Sequence, residues 1–196
     1  MKMINYKHNE TITGYEFDSI CGKKIRYFLK IKLDNNNDKV CTFICKNPSH
    51  ASEKESDQTV NIISDLIHTK KDCFGIGTIY IVNVFPFFDP VSKNLFSLLA
   101  HVKASQPVNY NIITEKNLET VVRISRESNN VIAAWGENPN GFPQKVYNQY
   151  IDNLQTELMS NGINTGSLNW QGRQLSDEGY YFHPGRKKVS DLIIEW

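Results

Sequence analysis

Short apolar runs of strand character alternate along this chain with longer stretches whose apolar residues recur at helical spacing. That order restricts the fold more than any other feature. Strand–helix–strand units place neighbouring strands in parallel and cover the sheet on both faces. The first run, "KKIRYFLKIKL" at residues 23–33, alternates: Ile25, Tyr27, Leu29, Ile31 and Leu33 share one face, and basic residues occupy much of the other. "DNNND" at 34–38 is turn-forming, and "VCTFIC" at 40–45 returns, which predicts an antiparallel hairpin. The near-continuous apolarity of the second run marks it as a central strand.

Ser56 and Asp57 are cap residues for a helix carrying Val60, Ile62, Ile63, Leu66 and Ile67. "GTIYIVNVF" at 77–85 is the next buried strand. Asp89 and Pro90 form a cap and first-turn proline ahead of a stripe of Leu95, Leu98, Leu99 and Val102. "KASQPVNYN" at 103–111 reads as a loop, followed by a helix through Leu118, Val121 and Val122 and a strand, "NVIAAWG", at 130–136. A long amphipathic helix over 143–160 buries Tyr147, Ile151, Leu154 and Leu158, with Gly162 beyond its end. A short strand near "TGSLNW" (165–170), a glycine-rich stretch and a last strand-like "YYF" (180–182) complete the chain. These elements predict one α/β domain over 1–196: a three-layer sandwich with a mostly parallel sheet and an N-terminal antiparallel hairpin, residues 1–20 being peripheral.

Composition narrows the partners. At 196 residues, 40% hydrophobic and 22% charged, the chain can bury a core. A formal charge of +1 gives no bulk attraction to nucleic acid. Only the segment 172–188, with Arg173, Arg186, Lys187 and Lys188, offers a local basic patch. No 18-residue apolar run predicts a membrane span, and the polar start "MKMINYKHNE" lacks an apolar leader core, so a cytoplasmic protein is expected. Cys21, Cys41, Cys45 and Cys73 form no C-x-x-C pair; Cys41 and Cys45 share one face of an apolar strand and read as buried thiols in a reducing compartment. No metal or cofactor is expected.

In an open α/β sheet the ligand crevice lies beyond the carboxyl ends of the strands. The residues just past each strand are therefore informative. "CTFIC" leads to Asn47-Pro48-Ser49-His50, "IYIV" to Asn83 and then Phe85-Pro86, "VIAA" to Trp135-Gly136, and "YYF" to His183-Pro184-Gly185. Amides and an imidazole gather at these ends, with prolines stiffening the turns. Phosphate-loop, zinc-protease and nucleophile-elbow patterns are absent. A nucleophilic Cys45 or Ser49 with His183 as base is disfavoured, because Cys45 lies within the apolar strand.

These residues, in this order and strand context, resemble the uracil-DNA glycosylase superfamily: Asn47-Pro48 after the first central strand, Asn83 after "IYIV", the "VIAAWG" strand, and His183-Pro184 in a late loop. Across residues 27–184 the chain also looks like a family of bacterial and phage proteins of unknown function. That likeness rests on Cys45, Asn47, Pro48, Ser49 and Ala51, on Asp57 and Thr59, on Asn83, Phe85 and Pro86, on Trp135-Gly136 and on His183-Pro184. The superfamily likeness implies a glycosylase-like fold and an enzyme acting on the N-glycosidic bond of a base in DNA or a nucleotide. The alternative is a non-catalytic nucleobase or nucleotide module, which an amide at Asn47 fits equally well. The roles it implies are water positioning by Asn47, base recognition by Asn83, and donation by neutral His183 to the base oxygen. Pro48 and Ser49 would shape the pocket floor, with Asp57, Thr59, Trp135 and Gly136 as further pocket groups. "SEKESDQTVN" at 52–61 contains no aromatic, so stacking on the base falls to Phe85, or to Phe87 or Phe88. Arg186, Lys187 and Lys188 would meet phosphate.

Overall fold

The computed structural model describes residues 4–48, 50–89, 91–185 and 187–195, without the side chains of 70–74. Its described strands form a seven-stranded mixed sheet: β1 (Thr11–Ile20), β2 (Lys23–Lys32), β3 (Lys39–Cys45), β4 (Ile76–Asn83), β5 (Asn130–Ala133), β6 (Gly166–Trp170) and β7 (Leu192–Glu195), in the order β1-β2-β4-β3-β5-β6-β7. The central four strands, β4, β3, β5 and β6, are parallel; β1, β2 and β7 are antiparallel flanks. The helices are α1 (Gln58–Phe74), α2 (Leu95–Ser105), α3 (Pro107–Arg126) and α4 (Gln144–Ser160).

Two apolar cores sandwich the sheet. On one face Val60, Ile63 and Ile67 of α1 pack with Leu29, Ile31, Cys41, Phe43, Ile79 and Ile81. On the other, Leu98 and Val102 of α2, Val121 of α3, and Tyr147 and Ile151 of α4 pack with Ile44, Val82 and Val131. β3 and β4 are buried on both faces, which is why they read as continuous apolar runs. No helix among the described residues is long and apolar enough to cross a membrane.

Several sequence expectations are corrected. β2 and β3 are not hairpin partners: β4 lies between them, antiparallel to β2 and parallel to β3. The N-terminal hairpin is instead β1–β2, turning at Cys21 and Gly22, both at positive φ (50° and 70°). Residues 11–20 are thus an edge strand of the sheet. The expected loop at 103–111 is the end of α2 and the start of α3, with Pro107 in the first turn, where its missing N–H goes unused. "YYF" forms no strand; Tyr181 makes only an isolated bridge with Leu175. The expected cap at Asp89 is a turn in which its carboxylate accepts from the Val91 N–H, and α2 begins at Leu95; Pro90 lies outside the described residues.

The single facing of β2 is also corrected. Glu16 pairs with Phe28 and Phe17 with Arg26, so Tyr27 is an extra residue opposite β1. The bulge places Tyr27 and Phe28 on the same face, with Ile25, whereas Leu29 and Ile31 face α1. Arg26 is thereby turned to the α1 side, where it is 1% exposed and donates from Nη1 to the Ala51 carbonyl (2.7 Å).

Candidate functional site

The carboxyl ends of the four parallel strands open into a cleft of about 560 Å³, within the usual range for small-molecule sites. β4 contributes Asn83, β3 leads into Lys46, Asn47 and Pro48, β5 into Gly136 and Glu137, and β6 ends at Trp170. Arg26 lines it from β2, whose antiparallel direction brings the strand's first half to this edge.

Asn83 is the centre of the site. It is 1% exposed, and neither amide atom has a hydrogen-bond partner among the described residues. A buried, unpaired amide loses its hydration without replacement, at about 1–3 kcal/mol. Such a group in a cleft wall is a candidate ligand contact. Its backbone is anchored: Asn117 of α3 donates from Nδ2 to the carbonyls of Asn83 (3.0 Å) and Val84 (3.2 Å). Asn47 behaves differently. Its Nδ2 donates to the Asp89 carbonyl (2.7 Å), so its amide is oriented by the protein itself.

His183 is clamped by glycines. Gly136 sits at φ +74°, and a Cβ there would lie 2.7 Å from the Cβ of His183. The Tyr147 hydroxyl donates to the Gly136 carbonyl (2.8 Å) and holds this turn against α4. On the other side, a Cβ at Gly185 would lie 2.9 Å from His183 Nδ1. The Gly185 N–H donates to that nitrogen (3.0 Å). Nδ1 is therefore the acceptor, and a neutral ring carries its proton on Nε2. Burial first, then the Lys46 charge, pushes the His183 pKa down to about 3, against a smaller opposing pull from Asp57. The ring still shows part of its surface to the cleft. At neutral pH it is a hydrogen-bond donor, not a cation.

Charge around these groups is unevenly held. Burial opposes the Arg26 charge, the Asp57 carboxylate supports it, and Nε has no hydrogen-bond partner among the described residues. Burial pulls the Lys46 pKa down to about 8, with Glu137 opposing, and Nζ donates to the Glu137 carbonyl. Asp57 caps α1, accepting from the Val60 N–H (2.9 Å) and also from the Ala51 N–H (3.1 Å). Burial raises the Cys45 thiol to about 12. A buried, protonated Cys45 thiol and so weak a base at His183 both weigh against a nucleophilic pair.

The cleft brings together Asn47, Pro48, Thr59, Asn83, Gly136, His183 and Lys187 from the sequence expectation. Phe85 is not among them. It is buried in the core on the helical face opposite α1, against Phe142, Tyr147 and Tyr150, so it cannot stack on a ligand in the cleft. Phe87 packs there on Tyr110. Trp135 is likewise 1% exposed in that core, and only its neighbour Gly136 reaches the cleft. Asp57 stands behind the wall as a cap. Lys188 is exposed and outside the lining, while Ser49 and Arg186 lie outside the described residues.

Three wall groups escape sequence reading: Arg26, Lys46 and the aromatic pair Trp170–Phe182, whose rings meet edge-on at 5.5 Å. Lys187 Nζ lies 3.2 Å from the Trp170 ring centroid. Trp170 is a strand-end residue, and the strand-end rule applied to "TGSLNW" finds it. Arg26 depends on a bulge that no alternation pattern displays.

A family model described as "Protein of unknown function (DUF1643)" matches residues 26–184, the span from Arg26 through His183 that supplies most of the cleft, leaving β1 and β7 outside. No curated protein and no solved structure matches the chain.

Proposed function

The chain belongs to the DUF1643 family, whose description names no activity, and we propose that it is an N-glycosidic hydrolase of the glycosylase type acting on a nucleobase-containing ligand. The unpartnered amide of Asn83 carries this reading. An amide presents an acceptor beside a donor in one plane, and the edge of a nucleobase offers the complementary pair. The motif likeness to the uracil-DNA glycosylase superfamily supports the same class.

The remaining roles follow from the cleft. His183, neutral with its proton on Nε2, donates to a base oxygen as negative charge builds there. Asn47 orients the water that attacks the sugar carbon. The carbon–nitrogen bond breaks with its electron pair leaving on the base, water oxygen bonds to the sugar carbon, and the proton the water sheds ends on the departed base nitrogen. A second reading, a non-catalytic nucleobase module, is favoured by one observation: Asn47 is held by the Asp89 carbonyl, and an amide is no general base.

The deciding measurement is release of free base, by mass spectrometry, from DNA carrying uracil or modified pyrimidines, and from nucleosides and nucleotides. Wild type runs beside Asn47→Ala, Asn83→Ala and His183→Ala. Release that drops at least ~100-fold in Asn83→Ala and His183→Ala supports the hydrolase. No release, with a nucleotide still raising the melting temperature, supports the module. Silence in both assays defeats the nucleobase reading.

A further inference from the structure

Charge in the cleft is sorted by depth. Arg26 is buried, and Lys46 and Lys187 are partly buried, within the lining. The carboxylates of Glu137 and Asp177 are exposed at the mouth, where Arg173 pairs with Asp177, and Asp89 is partly buried like the two lysines. Groups are also sorted along the cleft. Arg26 and Asn83 lie on the adjacent strands β2 and β4 and hold three of the unpartnered buried polar atoms of the lining, the fourth being Asn138 Oδ1 beyond β5. Lys46 and Lys187 both feel the Glu137 charge and lie toward β5 and β6, where Trp170 supports Lys187. The two ends are separated by two or so strand spacings, about 10 Å. That is the length of a nucleoside monophosphate.

We propose that the ligand is a mononucleotide lying along the cleft, its base edge on Asn83 and Arg26 and its phosphate on Lys46 and Lys187. This rests on the nucleobase reading above and narrows it. A single phosphate reaching inward meets two ammonium groups, one of them partly desolvated. A continuous nucleic-acid backbone crossing the mouth meets Asp89 and Glu137, whose like charges oppose it, while Asp177 is already paired with Arg173. The formal charge of +1 supplies no compensating attraction elsewhere.

Calorimetric titration of the full chain with free bases, nucleosides, nucleoside 5′-monophosphates, single-stranded oligonucleotides and inorganic phosphate tests this. Wild type is compared with Lys46→Met, Lys187→Met, Asn83→Leu and, as a control for bulk charge, the exposed Lys145→Met on α4, each checked by its melting curve. One monophosphate binds at least ~30-fold tighter than its nucleoside, as expected for charge-assisted contacts. Each cleft lysine variant closes most of that gap without weakening nucleoside binding; Asn83→Leu weakens both ligands, and Lys145→Met changes neither. Equal affinity for nucleoside and nucleotide, or tighter binding of the oligonucleotide, overturns the mononucleotide and leaves the nucleobase reading standing. Binding of inorganic phosphate with no preference for any nucleotide overturns both.

Discussion

Asparagines gather at both edges of the parallel sheet, and their hydrogen bonds differ. At the amino edge, Asn35 and Asn37 donate from Nδ2 to the Ile76 carbonyl (3.1 and 3.3 Å), the Asn37 N–H donates to Asn35 Oδ1 (3.0 Å), and Asn129 accepts from the Val40 N–H (2.8 Å). These amides complete the turns that launch β3, β4 and β5. At the carboxyl edge Asn83, more deeply buried than any of them, bonds to nothing among the described residues. One residue type builds turns at one edge and leaves its amide unpaired at the other. Asn47 is intermediate: it lines the cleft, yet its amide nitrogen serves the backbone. Partner count, more than burial or position, separates structural from functional amides.

The contrast can be broken most directly at Asn83. Asn83→Leu, close in shape and apolar, should lower ligand binding by at least ~100-fold while raising the unfolding free energy by about 1–3 kcal/mol, since no protein hydrogen bond is lost and an unpaired amide is removed. A large loss of stability in urea melts would place Asn83 with the amino-edge amides. The next effect belongs to His183. Its folded pKa, about 3, is below the unfolded value near 6.5. Between these values the unfolded chain binds more protons, so stability present above pH ~6.5 is lost as pH falls toward 3. Because the ring keeps some solvent contact, the loss is about 2 to 4 kcal/mol. Urea melts from pH 7.5 to 4 measure it, and His183→Gln should flatten that slope; an unchanged slope refutes the assignment.

Smaller again is Gly136→Ala, which combines positive φ with contact on His183. It should cost about 2 kcal/mol and reduce ligand affinity as the ring is displaced. Intact affinity would show that the ring's position is immaterial. Asn129→Ala should cost only about 1 kcal/mol and leave ligand affinity untouched; any effect on binding would blur the two edges.

Asn47 and Asn83 are legible because a parallel sheet gathers its carboxyl ends and the sequence places unusual polar groups there; His183 reaches the same cleft from a loop, since the strand expected before it does not form. α1 and α4 are legible from their apolar spacing. Pairing is not. "DNNND" carries turn chemistry, but a turn does not decide which strand comes alongside, and β4 takes the place beside β2. β1 is hidden because most of its residues are exposed or half-exposed, as at an edge. Phe85 looks available beside Asn83, yet the backbone turns it into the opposite core, where aromatic neighbours bury it. Arg26 reads as a solvated base on the outer face of an alternating strand; the extra residue at Tyr27 reverses its side.

The clamp that Asn117 places on the carbonyls of Asn83 and Val84 has a kinetic consequence. The end of β4 is fixed to α3, so the backbone that carries the Asn83 amide needs no rearrangement to receive the proposed ligand. For the proposed ligand this predicts one-step association, its rate set by ligand concentration and the shedding of water, with ligands of different affinity differing chiefly in how long they stay.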